Sequence, residues 1–140
     1  MKISVATIAG LMLMFGAATS QAQQCLHGPN ETPEQAARRT DAINAARAIN
    51  TIQANHKGNG YFRHEDLPSS PWAVQMRQSP NPFAKRLSLL PGTEILPGWT
   101  LMFDVGFDNY WFKITDKTDP CGFALISNQA GIVFVAEPIR

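Results

Sequence analysis

The run from Thr32 to Lys57, TPEQAARRTDAINAARAINTIQANHK, constrains this chain more than any other, because it spells one amphipathic helix with a start and a stop. Thr32 is placed to cap the first turn, Pro33 suits the first helical position, and Gln35 completes a Thr-x-x-Gln capping box. Ala42, Ile43, Ala46, Ile49, Ile52 and Gln53 recur at spacings of one, three or four residues and make an apolar stripe with one polar edge. Arg38, Arg39, Asp41, Asn44 and Arg47 fall on the other faces, and Gly58 and Gly60 end the pattern. Glu31 and Glu34 sit toward the positive end of the helix dipole, Lys57 near the negative end. A helix of this kind needs a second apolar surface to bury its stripe.

Residues 1–22 read as a signal peptide. Lys2 is followed by an apolar run from Ile3 to Ala18, interrupted by Ser4, Thr7 and Gly10, and the segment closes on Ser20-Gln21-Ala22, a small-x-small cleavage pattern. The run falls short of the roughly 20 residues of a spanning helix, which favours cleavage after Ala22 over a retained anchor. Gln23 and Gln24, two bulky amides, argue against a lipid anchor on Cys25. Residues 23–140 are then one exported domain, periplasmic or secreted, with no stable membrane anchor. With 12 Lys and Arg against 11 Asp and Glu, and no basic run, nucleic acid and anionic membrane surfaces are poor partners.

An exported chain meets an oxidising compartment, and its two cysteines allow one intramolecular pairing, Cys25 with Cys121. That bridge would close most of the domain into one loop, worth about 4–5 kcal/mol in the chain-entropy model. A metal or redox site on these cysteines would need close spacing or histidine neighbours that the sequence lacks.

Downstream the pattern changes. Gln23 to Glu31, with Cys25 and His27, reads as a polar, extended lead-in pinned by the disulfide. From Gly58 to Pro97 the chain is proline-rich and reads as a long connection with brief ordered pieces, among them a short helix PWAVQMRQ capped by Ser70. The last part reads as a four-strand antiparallel meander: Trp99–Val105, Tyr110–Thr115, Cys121–Ile126 and Ile132–Ala136. The expected fold is therefore α+β, with one N-terminal helix packed on one face of a four-strand antiparallel sheet.

Few residues suggest chemistry. His64-Glu65-Asp66 is a single turn without a partner motif for zinc and reads as solvated. Asp104, Asp108, Asp116 and Asp119 flank two sheet connections and are weak calcium candidates, although Asp is also an ordinary turn former. The sequence contains neither a Gly-x-Ser-x-Gly elbow nor a phosphate-binding glycine loop, and a disulfide would consume both thiols, so the chain is not expected to be an enzyme. Trp72, Trp99 and Trp111 are candidates for an exposed contact surface, the alternative being that they fill the core. Trp111 alternates away from Tyr110 and Phe112, onto the opposite sheet face.

The segment Ala45-Ala46-Arg47-Ala48-Ile49-Asn50-Thr51-Ile52-Gln53-Ala54, followed by Gly58-Asn59-Gly60-Tyr61, resembles the second half of the long helix of type IV pilins and pseudopilins. The runs PGWTLMF and DKTDPCGFALISNQAGIVF resemble the sheet region of pilin-like proteins. The resemblance implies a helix entering a Gly-Tyr turn and an antiparallel sheet of about four strands, and a sheet-loop calcium site of the kind some pseudopilins hold. The chain departs from the family at its start: the apolar segment ends at a signal-peptidase-like site, so the residues that pilins use to build filaments have no counterparts here. The functional expectation is an exported, non-enzymatic, pilin-like module with a protein partner. The alternative is a small-ligand or glycan-binding protein using an aromatic surface.

Overall fold

The computed structural model describes residues 24–58 and 60–137; the expected signal peptide, residues 1–22, lies outside the described residues. Helix α1 spans Pro33–His56 and carries the full capping box: Gln35 N–H donates to Thr32 Oγ1, and the Thr32 amide donates to Gln35 Oε1. Its buried face is Ala42, Ala45, Ala46, Ala48, Ile49, Asn50, Ile52 and Gln53. Four of these eight are alanines, which lets the helix axis approach the sheet closely.

The connection after Gly60 holds more structure than a single-helix fold allows. A 3-10 turn covers His64–Ser69, helix α2 covers Pro71–Gln78, and helix α3 covers Pro82–Arg86. The prolines begin these elements instead of breaking them. Pro71 and Pro82 sit in the first turn, where an N–H would lack a partner anyway. Ser70 and Asn81 cap them through side-chain oxygens that accept from Ala73 and Phe83 amides.

The sheet has five strands, not four: β1 Glu94–Leu96, β2 Trp99–Val105, β3 Tyr110–Asp116, β4 Ala124–Asn128 and β5 Val133–Ala136. All neighbours are antiparallel and follow chain order, so the meander holds, with one strand added at its front. Strand β1 lies inside the stretch expected to be irregular. Pro97-Gly98 turns it directly into β2, with Pro97 fixing φ at the first turn position and Gly98 at φ +82 at the second. The third expected strand, Cys121–Ile126, starts later, at Ala124, because residues 119–122 form a turn on Asp119.

Register assigns the faces. Trp99, Leu101, Phe103 and Val105 pair with Asp116, Ile114, Phe112 and Tyr110, and all point toward α1. Phe123 and Leu125 of the adjoining chain join them, and Trp99, Phe112, Ile114, Phe123 and Leu125 are fully buried against Ile49 and Ile52. Each such side chain contributes about 1.5–3 kcal/mol by leaving water. α1 lies over β4, with β1 and β5 to its sides.

Two buried amides on α1 dock the connections. Gln53 Nε2 donates to the Phe62 carbonyl while the Phe62 amide donates to Gln53 Oε1, both at 2.8 Å. Asn50 Nδ2 donates to Ser127 Oγ and to the Gly131 carbonyl, and Tyr110 Oη donates to Asn50 Oδ1. The helix thus fixes the β4–β5 turn as well as the sheet.

Candidate functional site

Cys25 and Cys121 form the expected disulfide, and it brings the lead-in against the end of the sheet. Beside it, the lead-in departs from a solvated polar segment. His27 is only 4% exposed, packed 4.4 Å from the Phe123 ring and 5.6 Å from Trp99. Its Nδ1 lies 2.6 Å from Glu31 Oε1 and its Nε2 lies 2.9 Å from Asp116 Oδ2. Both ring nitrogens thus lie within hydrogen-bonding distance of a carboxylate oxygen.

Each carboxylate is held further. Arg39 donates to both Glu31 oxygens at 2.8–3.0 Å, and this contact, opposed by burial and aided by His27, holds the Glu31 carboxyl below its ordinary range. For Asp116, burial pushes upward most strongly. Hydrogen bonds from Thr118 and His27, with the Arg38 charge, outweigh it and leave the carboxyl low. Arg38 also lies 5.9 Å over the Trp99 ring.

This arrangement fastens the lead-in to the sheet; it does not present a reactive group. Both ring nitrogens are engaged with carboxylates, and among the described residues neither shows a hydrogen bond to a hydroxyl or thiol. The sequence held one signal for it. Asp116 continues the inward alternation of Tyr110, Phe112 and Ile114, and a carboxylate pointing inward requires partners.

The four loop aspartates do not converge. Asp116 is used as above, and Asp119 accepts from the Leu26, Cys121 and Phe123 amides. Asp104 accepts from the Trp111 indole at 3.3 Å, and Asp108 stands exposed in the β2–β3 loop. Among the described residues, no three His, Cys, Asp or Glu side chains are grouped to hold a metal ion. His64 is not a freely solvated turn residue. Its ring packs 5.7 Å from Phe103, burial lowers its pKa, and its Nε2 is enclosed without a hydrogen-bond partner.

The three tryptophans separate. Trp99 is 1% exposed and belongs to the core. Trp72 lines a groove of about 430 Å³ between α2, α3 and the approach to β1, together with Met76, Leu87, Leu89 and Leu90. Trp111 lies on the sheet face turned away from α1, as the alternation requires, and is 39% exposed.

That outer face is, among the described residues, an exposed apolar row. Met102, Lys113, Ile126 and Phe134 are successive cross-strand neighbours on β2 to β5, and Asp104, Trp111 and Asn128 form the adjoining row. Met102, Trp111, Ile126 and Phe134 are all exposed, and together offer on the order of 400 Å² of surface, within the range of functional patches. Lys113 crosses the patch, where its aliphatic stem continues the apolar row. Met102 was legible from strand alternation; Ile126 and Phe134 required the register.

No protein-family model, curated protein or solved structure matches the chain.

Proposed function

We propose that this is an exported, non-enzymatic, pilin-like module that makes protein contacts in the periplasm or outside the cell through the outer face of its sheet. The observation that carries this reading is the apolar row Met102–Ile126–Phe134 beside Trp111, exposed on a sheet whose other face packs on α1. Export is supported by the disulfide, which persists in oxidising compartments, and among the described residues no helix is long and apolar enough to cross a membrane. The pilin-like assignment is supported by the helix-on-sheet α+β architecture alone. The non-enzymatic reading is supported by a buried histidine whose two nitrogens are both occupied.

The test is affinity capture from the cell envelope and culture fluid with wild-type protein and with the Met102→Glu/Ile126→Glu variant, both shown to be folded by circular dichroism. Partners held by the wild type and lost by the variant are expected, pilus or secretion components among them. Recovery indifferent to the two substitutions refutes the outer face as the contact.

The groove at Trp72 favours a second reading, a small apolar or glycan ligand, because it is concave and offers one indole with Arg77 and Ser88 at its rim. Quenching of tryptophan fluorescence by a ligand panel, lost in Trp72→Phe, would establish it.

A further inference from the structure

The two edges of the sheet differ. On one side β1 covers the start of β2, with an irregular register, and the 3-10 turn packs against β2 beyond it. On the other side, among the described residues, β5 pairs with β4 alone, in unbroken register. Proteins ordinarily blunt such an edge with a charge, a proline or a bulge. From Ala130 to Ala136 the chain has none of these, and Ile132, Phe134 and Val135 are about half exposed. Val135 is on the α1 side of the sheet and is nevertheless 50% exposed, so the helix leaves the outer half of β5 uncovered.

The ladder tells which backbone groups face outward. The Gln129 amide donates to the Tyr110 carbonyl and the Asp116 amide donates to the Phe123 carbonyl, so the odd-numbered residues of β4 bond to β3. Ile126 and Ala124 therefore bond to their partners Phe134 and Ala136, and the N–H and C=O groups of Val133 and Val135 point away from the sheet.

We propose that β5 is a homodimer interface, taking the β5 strand of a second copy of this chain antiparallel across a two-fold axis. The pattern is self-complementary. Setting Val133 opposite Val135 of the second copy uses all four outward groups of each strand's two valines in four hydrogen bonds. The same register puts Phe134 opposite Phe134 at the axis, in the closely spaced non-hydrogen-bonded position on the outer face. Val133 and Val135 meet on the α1 side, where the helix leaves room. No like charges are brought together, because the strand carries none. The product is a continuous ten-strand sheet with both helices on one face and the two apolar outer rows joined. Ile132, Phe134 and Val135 would cover on the order of 300 Å² per protomer, below the ~800 Å² of a standard interface, so association is concentration-dependent rather than obligate.

Sedimentation equilibrium of the disulfide-bonded protein from about 1 µM to about 1 mM is the test, spanning the affinities of weak specific dimers. The expected result is a monomer–dimer equilibrium. Val135→Pro removes an N–H that the fold does not use, at an edge position that tolerates proline, and should weaken the dimer about tenfold or more. Phe134→Lys sets two like charges together at the axis and should abolish it. Met102→Glu, remote from β5, should leave the dimer unchanged while disabling the outer face, which separates this interface from the proposed partner contact. A monomer throughout the range overturns the proposal, and so does a dimer equally tight in folded Val135→Pro. A monomer that instead takes up an added extended peptide, sensitive to Val135→Pro, overturns it in favour of strand addition by another protein.

Discussion

Replacing Asp116 by Asn keeps the side chain's shape and removes its charge, at a position where the structure makes the consequence calculable. Asp116 is 1% exposed and accepts from His27 Nε2 at 2.9 Å, Thr118 N at 2.8 Å, Thr118 Oγ1 at 2.6 Å and Arg38 Nη2 at 3.2 Å. An amide has one acceptor oxygen, and its NH₂ faces donors of which the buried His27 cannot turn to water. Breaking one side of a buried charge pair costs about 3–5 kcal/mol. Arg38 is partly exposed and recovers water, so we expect the lower end, about 3 kcal/mol. For a domain of this size that is a fall of roughly 10 °C in Tm.

Urea unfolding of the oxidised protein at neutral pH measures it. A loss under about 1 kcal/mol would show that the histidine cluster is not what fastens the lead-in. The pH dependence supplies a second readout. The folded-state pKa values of Asp116 and Glu31 are lowered, so their contribution is complete above the unfolded carboxylate pKa and is lost as pH falls through the folded values. Asp116→Asn should flatten the acid limb of the wild-type stability profile; an unchanged limb contradicts the assignment.

Other outcomes follow from single contacts. Gln53→Ala removes both hydrogen bonds to the half-buried Phe62 backbone and should cost about 1–3 kcal/mol in urea unfolding. Ile49→Ala opens a cavity at a fully buried position beneath the sheet and should cost about 2–5 kcal/mol, read the same way. Tyr110 is held neutral, pushed up to about 12 mainly by burial, so an ultraviolet titration should show a late phenolate step, and Tyr110→Phe should remove it. Because the unfolded chain releases that proton first, wild-type stability should decline as pH rises past about 10.

Residues whose role is set by their neighbours in sequence were legible. Thr32, Gln35 and Ser70 announce their caps, and the alternation around Tyr110 and Trp111 assigns the sheet faces. The single possible cysteine pairing was legible for the same reason: it involves no choice. What escaped were the places where proline and long-range contact decide. Pro82 and Pro97 look like breakers, yet each occupies a position that needs no N–H, so α3 and β1 form within a stretch that reads as irregular, where only α2 was legible. His27 looks solvated because its partner Asp116 is 89 residues away and Glu31 looks like a helix-end charge. Trp99 and Trp111 share a residue type, and only register separates a core ring from a surface one.

The distance between the two halves of the disulfide sets an order of events during folding. Cys121 follows Cys25 by 96 residues, after α1 and the first three strands. The strands pair hairpin by hairpin with neighbours near in sequence while the lead-in is still loose, whereas α1 gains its main sheet contact, with β4, only after Cys121. Cys25 then waits for a thiol that emerges late and has no wrong partner within its own chain. Oxidation acts as a latch closed once the sheet and its helix have met, and with one pairing possible between the two cysteines, disulfide isomerisation has nothing to correct.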